Sequence, residues 1–284
     1  MESIVYGIVT ASIILLGSVG FSMTLNAENF INIAHGQMLL LCAYITLFLN
    51  AYMSIVPAAI IGILVTGVFG VLFYKVFYRP IKKRGAMVLL FTSVGLAYVI
   101  NGVVGTIFGT TTFAYKIPNV KEIIPGMTPY QLLIIIAAIC STLFLHYFLT
   151  KTKIGKAIRA VSENSDLAKT RGIDTKRTSN YVWFIASSLA GLSGVFLGVI
   201  GSIHLEMGWN QILIILAATV LGGLGSIYGV MAASVVIGLS MELGVLMIPS
   251  YYRLAIAFAI IIIVLLIKPD GLQSLWNKSG KRVA

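Results

Sequence analysis

"NAENFINIAHGQM", residues 26–38, places Asn26, Glu28, Asn29, Asn32, His35 and Gln37 between apolar runs at 4–23 and 37–50. Each unmet polar group in hydrocarbon costs several kcal/mol, so this stretch decides how the chain is read. A helix needs about 20 apolar residues to cross a core of about 30 Å. The run 37–50 has 14 residues, roughly 21 Å at 1.5 Å per residue. Part of 24–36 must therefore lie at membrane depth, where polar or non-helical backbone is tolerated only against protein or a wet cavity. The stretch 24–50 reads as one discontinuous or polar-faced span. If it is helical, the i, i+4, i+7 spacing puts Glu28, Asn32 and His35 on one face.

The rest of the 284-residue chain supports that setting. It is 58% hydrophobic and 10% charged, against about 25% charged for soluble domains. The first run has no basic residue before it and is too long for a signal h-region of roughly 7–15 residues, so it reads as a retained span. Apolar runs at 4–23, 37–50, 55–74, 87–108, 130–149, 181–203, 209–225, 229–248 and 253–267 give eight or nine crossings. The expected fold is an all-α, polytopic integral membrane protein forming a single domain over 1–284.

The net charge of +11 is concentrated in a few loops rather than in a nucleic-acid patch. Residues 75–84 hold Lys75, Arg79, Lys82, Lys83 and Arg84 without an acid, and 151–177 hold eight basic and three acidic residues. With the tail from 268 these regions carry 17 of the 20 cations, which makes them cytoplasmic by the positive-inside rule. The C-terminus is then cytoplasmic. Nine spans put the N-terminus outside and eight put it inside.

The connection 150–181, "TKTKIGKAIRAVSENSDLAKTRGIDTKRTSNY", carries an apolar edge at Ile154, Ile158 and Val161. "SENS" offers N-cap residues, with Ser165 preceding Asp166, and Gly172 suits a left-handed C-cap. Two short helices at an angle are predicted, basic outside and apolar on one edge, as a docking segment for a cytoplasmic partner. A plain solvated link needs neither the stripe nor the caps.

Beyond it, Gly191, Gly194, Gly198, Gly222, Gly223, Gly225 and Gly229 include Gly194-x-x-x-Gly198 and Gly225-x-x-x-Gly229, the spacing of closely packed helices. Glu242 is costly inside a membrane and should face a partner or cavity, whereas Glu206 lies near a boundary and reads as solvated. Tyr74, Tyr78, Trp209 and Trp276 read as interfacial anchors. Cys42 and Cys140 read as buried small hydrophobes, with no disulfide and no metal site expected. G-x-x-x-x-G-K-[ST], H-E-x-x-H and G-x-S-x-G are absent, so no catalytic residue is assigned and no P-loop binds ATP in this chain.

Three blocks in order make the chain recognisable: "INIAHGQMLLLCAYI", "TKIGKAIRAVSENSDLAKTRGIDTKRTSNYVWFIASSLAGLSGVFLG" and "VLGGLGSIYGVMAASVVIGLSMELG". Together they resemble the permease subunit of branched-chain amino-acid (Liv-type) ABC importers, the half with an Asn-x-Ala-His-Gly core. The resemblance implies transport of amino acids, chiefly branched-chain, across the cytoplasmic membrane by alternating access. It also implies a second related permease, two cytoplasmic ATPase subunits holding ATP and Mg, and an extracytoplasmic binding protein. No cofactor is expected in this chain.

On the same resemblance, Asn32, Ala34, His35 and Gly36 match the family's second-span core. That makes Asn26, Glu28, Asn29, Asn32, His35, Gly36 and Gln37 the substrate-path candidates. Residues 153–172, with Gly155, Ala157, Arg159, Asp166, Ala168 and Gly172, match the ATPase-contacting segment. The chain departs from the family at Asn26–Asn29, usually small and apolar, and at Glu206, where proline commonly precedes Met-Gly. Both changes add acid and leave a branched-chain or a more polar or cationic substrate open. His35 has two open roles, meeting solute or tying the helix break to neighbouring backbone. The rival reading is a gradient-driven transporter or channel using Glu28, His35 and Glu242 as ion sites.

Overall fold

The computed structural model describes residues 2–118, 120, 127–223, 226–246, 249, 252–267 and 272. Within them the chain is helical: α1 (Glu2–Glu28), α2 (His35–Asn50), α3 (Ile55–Phe73), α4 (Arg79–Ile81), α5 (Ala86–Phe108), α6 (Pro129–Lys151), α7 (Lys153–Glu163), α8 (Ser165–Thr170), α9 (Thr175–Ile200), α10 (Met207–Gly222), α11 (Ile227–Gly244) and α12 (Arg253–Ile267). A π-helical turn, Tyr74–Tyr78, joins α3 to α4, and the 3-10 turn Lys82–Arg84 leads to Gly85, whose φ of 98° reverses the chain into α5. Six helical segments are long and apolar enough to cross a membrane. His35–Asn50 and Met207–Gly222 are apolar but short. Among the described residues β-structure is limited to isolated bridges, one of them pairing Phe113 with Ile203.

α1 and α9 form the centre of the bundle and run antiparallel. Ser193 donates to the Ile13 carbonyl (2.8 Å), Gly20 lies against the Ala186 carbonyl, and Val182 packs with Val19, Met23 and Ala27. α11 packs on α1 and α3 packs on α9 in matching fashion. The correspondence extends to element boundaries. His35 and Met207, Asn50 and Gly222, Glu28 and Ile200, and Ile55 and Ile227 are each separated by 172 positions.

Each central helix thus leads through six irregular residues into a short helix, and then into a helix packed on the other central helix. With α1 and α9 opposed in direction, this is an inverted repeat, an architecture recurrent among transporters. Few side chains repeat with it; Gly36/Gly208, Ser54/Ser226 and Ile55/Ile227 are among those that do.

Helix ends follow local chemistry. Thr128 and Gln131 form a reciprocal capping box at α6, and Pro129 fills the first helical position, where its missing N–H costs nothing. Thr152, Asn164, Asp174 and Ser226 cap α7, α8, α9 and α11 through their side chains. At α8 the cap is therefore Asn164, accepting from the Leu167 amide at 2.9 Å, rather than Ser165, which is the first helical residue. Gly172 (φ 81°) closes α8: its N–H reaches the Lys169 carbonyl and that of Ile173 reaches Ala168. This is a Schellman stop.

Candidate functional site

The polar stretch that opens the sequence is divided by the fold. Asn26 and Glu28 belong to the last turn of α1, Asn29 terminates it in the left-handed region (φ 56°), residues 30–34 are irregular, and His35 begins α2. A helical face shared by Glu28, Asn32 and His35 does not form, because the backbone between them is not helical. The second span is discontinuous in another way. The chain leaves the end of α1, runs back along it, and restarts as a half-helix level with the middle of α1. His35 fixes that level. Its Nε2 donates to the Gly17 carbonyl at 3.0 Å, and its ring meets the edge of Phe21. Gly20 admits the imidazole, since a Cβ there would lie 3.3 Å from His35 Cε1.

The irregular link is held by side chains on three neighbours. Glu28 is buried and pairs with Lys82 Nζ at 2.7 Å, the lysine being 36% exposed and the carboxylate 2%. Tyr78 donates to Asn32 Oδ1 (3.1 Å), and Ser93 Oγ accepts from the Ile33 amide (3.0 Å). Phe30, Tyr74 and Tyr78 pack around Trp183, with Tyr78 and Trp183 stacked 4.8 Å apart. Tyr74 and Tyr78 are thus buried link-holders rather than interfacial anchors. The π turn carrying them rotates both rings inward, a local adjustment common at working sites. Trp209 packs against Tyr98 in a tilted pair with ring centroids 5.0 Å apart, and Trp276 lies outside the described residues.

The second link is held differently. Ile203 and Phe113 exchange backbone hydrogen bonds (2.8 and 2.9 Å), and Asn101 Nδ2 donates to the Leu205 carbonyl. Glu206 is exposed, as read from sequence, and precedes α10. The two half-helices meet at their N-termini. A Cβ on Gly36 would run into the Gly208 carbonyl and the Ile212 side chain, and one on Gly208 would lie 2.8 Å from the Gly36 carbonyl. Gln37 is fully buried against Gly208, and neither amide atom has a hydrogen-bond partner among the described residues. The crossing is a close backbone contact at the centre of the repeat, with both helix dipoles pointing their positive ends toward it.

Other glycines repeat that logic. Gly194 abuts the Leu39 backbone of α2, Gly191 lies against Cys42, and Gly222 and Gly229 bring α10 and α11 into backbone contact. Gly223 (φ 95°) makes the turn between them, whereas Gly198 receives the Tyr115 ring instead of a helix. Gly225 lies outside the described residues, so its pairing with Gly229 does too. Glu242, as expected, has partners: Arg253 at 2.9 Å and Thr10 at 3.1 Å. Cys42 and Cys140 are both free, the first buried and the second exposed.

α7 and α8 form the predicted corner. Ile158 and Val161 are buried against Leu145, Leu149 and Val182, and Gly155 is needed where α7 presses on the Phe148 carbonyl. Ala168 is buried and Ala157 half-buried, while Arg159, Asp166 and Gly172 are exposed, with Leu167 57% exposed beside them. Sequence reasoning missed Gly17, Gly20, Ser93 and Asn101, and gave Lys82 and Tyr78 other roles. Of these, Gly17 and Gly20 alone carried a sequence signal, two small residues three apart on one helical face.

The comparisons with known proteins agree with this architecture. Residues 3–265 match the family described as branched-chain amino acid transport system / permease component. Among curated relatives, the high-affinity branched-chain amino acid permease protein LivH of Escherichia coli K12 is 25% identical, with 96% of this chain and 94% of that protein covered. The probable LivH of Methanocaldococcus jannaschii is 29% identical over 97% and 93%. The solved structure of PsaBC from Streptococcus pneumoniae in complex with Fab shares the fold at a TM-score of 0.52. It is 14% identical and covers 96% of this chain and 94% of its own. The chain belongs to the branched-chain amino acid permease family; it is a multi-pass membrane transport component and not an enzyme.

Proposed function

We propose that this permease moves branched-chain amino acids across the cytoplasmic membrane, together with a second related permease, two ATPase subunits and an extracytoplasmic binding protein. Its relatives' names support the substrate class. The cation-rich ends, at 75–84 and 151–177, face the cytoplasm under the positive-inside rule, which places the described end of α12 there as well. ATP and Mg belong to the ATPases. The observation that carries the coupling is the α7–α8 corner. Its apolar edge is locked onto α1, α6 and α9 while its outer face is free.

Movement of that corner passes through α1 and α9 to the Gly36–Gly208 crossing, where the two repeats meet. Asn32, His35 and Gly36 set the restart of α2, and Asn26, Glu28 and Asn29 set the link that feeds it. Glu28 and Glu242 are each occupied by a cation and His35 by a backbone carbonyl, which speaks against a gradient-driven carrier titrating them. The test is Leu167→Arg in the assembled transporter. Leu167 is exposed, so folding is preserved, and substrate-stimulated ATPase activity and uptake fall at least tenfold together. Undiminished coupling would place the ATPase contact elsewhere.

A further inference from the structure

The turn between α3 and α5 has a cationic surface that takes no part in holding the link to α2. Five cations lie within 75–84, and among the described residues the only acid paired with them is Glu28, which takes Lys82. Lys75, Arg79, Lys83 and Arg84 stay exposed and make no ion pair or hydrogen bond to another described residue. The helices entering and leaving the turn are apolar and poorly covered. Leu64, Val68, Leu72, Val76 and Phe77 lie bare on one side, and Met87, Val88 and Phe91 on the other. By contrast, the cations around α7 and α8 are interleaved with Glu163, Asp166 and Asp174.

We infer that this turn is a binding site for anionic phospholipid: Lys75, Arg79, Lys83 and Arg84 receive the headgroup phosphate, and the bare flanks of α3 and α5 receive the acyl chains. Charge complementarity argues for a lipid over a protein partner. Four unpaired cations sit at the end of membrane-spanning helices, where an anionic leaflet attracts each juxtamembrane cation appreciably. The bidentate fork of Arg79 and Arg84 suits a phosphate diester. The Glu28–Lys82 pair holds the turn in place, so a lipid bound there braces the link feeding α2.

Native mass spectrometry on the full chain in mixed phosphatidylcholine and phosphatidylglycerol tests this. Wild type is expected to retain phosphatidylglycerol preferentially, and Arg79→Gln/Arg84→Gln to lose that preference by roughly fivefold per charge. Lys75→Arg/Lys83→Arg should keep it, which controls for folding. Equal retention of the two lipids by wild type, or an unchanged preference in the Arg79→Gln/Arg84→Gln variant, overturns the assignment. So does full displacement by millimolar inorganic phosphate, which would mark an ion site rather than a lipid site.

Discussion

The two links feeding the half-helices solve one problem with opposite chemistry. Both carry non-helical backbone to the start of a half-helix, and each has a buried part, at Asn32 and Ala34 in one and Ile203 in the other, whose N–H and C=O groups need partners. Residues 29–34 are held by side chains: the Glu28–Lys82 pair, Asn32 to Tyr78, Ile33 to Ser93 and His35 to Gly17. Residues 201–206 are held by the Ile203–Phe113 backbone bridge, with one side-chain contact, from Asn101 Nδ2 to the Leu205 carbonyl. At the positions equivalent to Glu28 and His35 the second link has Ile200 and Met207. The difference teaches that a repeat fixes where a helix must restart, not which groups hold it there. A polar link is tunable through its side chains, whereas a backbone link tolerates substitution.

The crossing is where the two halves must behave alike. Gly36→Val and Gly208→Val each drive a side chain into rigid backbone. Both should cost more than about 3 kcal/mol, the upper end of overpacking, and abolish recovery of folded protein from membranes. If fluorescence-detected chromatography finds either variant monodisperse at wild-type yield, the crossing is not the shared constraint.

The next effect separates the halves. Lys82→Ala leaves Glu28 buried without its cation. Full loss of one partner from a buried pair costs about 3–5 kcal/mol, and the partial exposure of Lys82 brings this to roughly 2 kcal/mol. Glu28→Gln/Lys82→Met should recover most of the loss, read as the midpoint of thermal unfolding in detergent. The charge-free double variant is then also the test of substrate choice: unchanged uptake and preference would make Glu28 purely structural. A double variant no better than Lys82→Ala would show that the first link does not depend on that charge balance.

The smallest effect lies in the second link. Asn101→Ala removes one side-chain donor from the Leu205 carbonyl and should cost about 1 kcal/mol, because the adjoining backbone bridge remains. A loss as large as that of Lys82→Ala would erase the contrast between the links.

Much of this was legible in the sequence. Hydrophobic run lengths and loop charge pointed to a polytopic helical membrane protein. The 14 residues of 37–50 put part of 24–36 at membrane depth, in a discontinuous or polar-faced span, and the apolar edge and Gly172 outlined the α7–α8 corner. These are local signals, arising from helix rise, the cost of bare backbone and the freedom of glycine at positive φ. The inverted repeat was not legible, because its halves share boundaries at 172 positions' separation while their side chains diverge. Tyr74 and Tyr78 misled for a related reason, since aromatic residues near a helix end look interfacial unless a π turn rotates them inward. What the tertiary structure alone decided is which groups meet: Glu28 with Lys82, His35 with Gly17, Gly36 with Gly208. Partners 54, 18 and 172 residues apart leave no local pattern, because their pairing depends on how the helices pack.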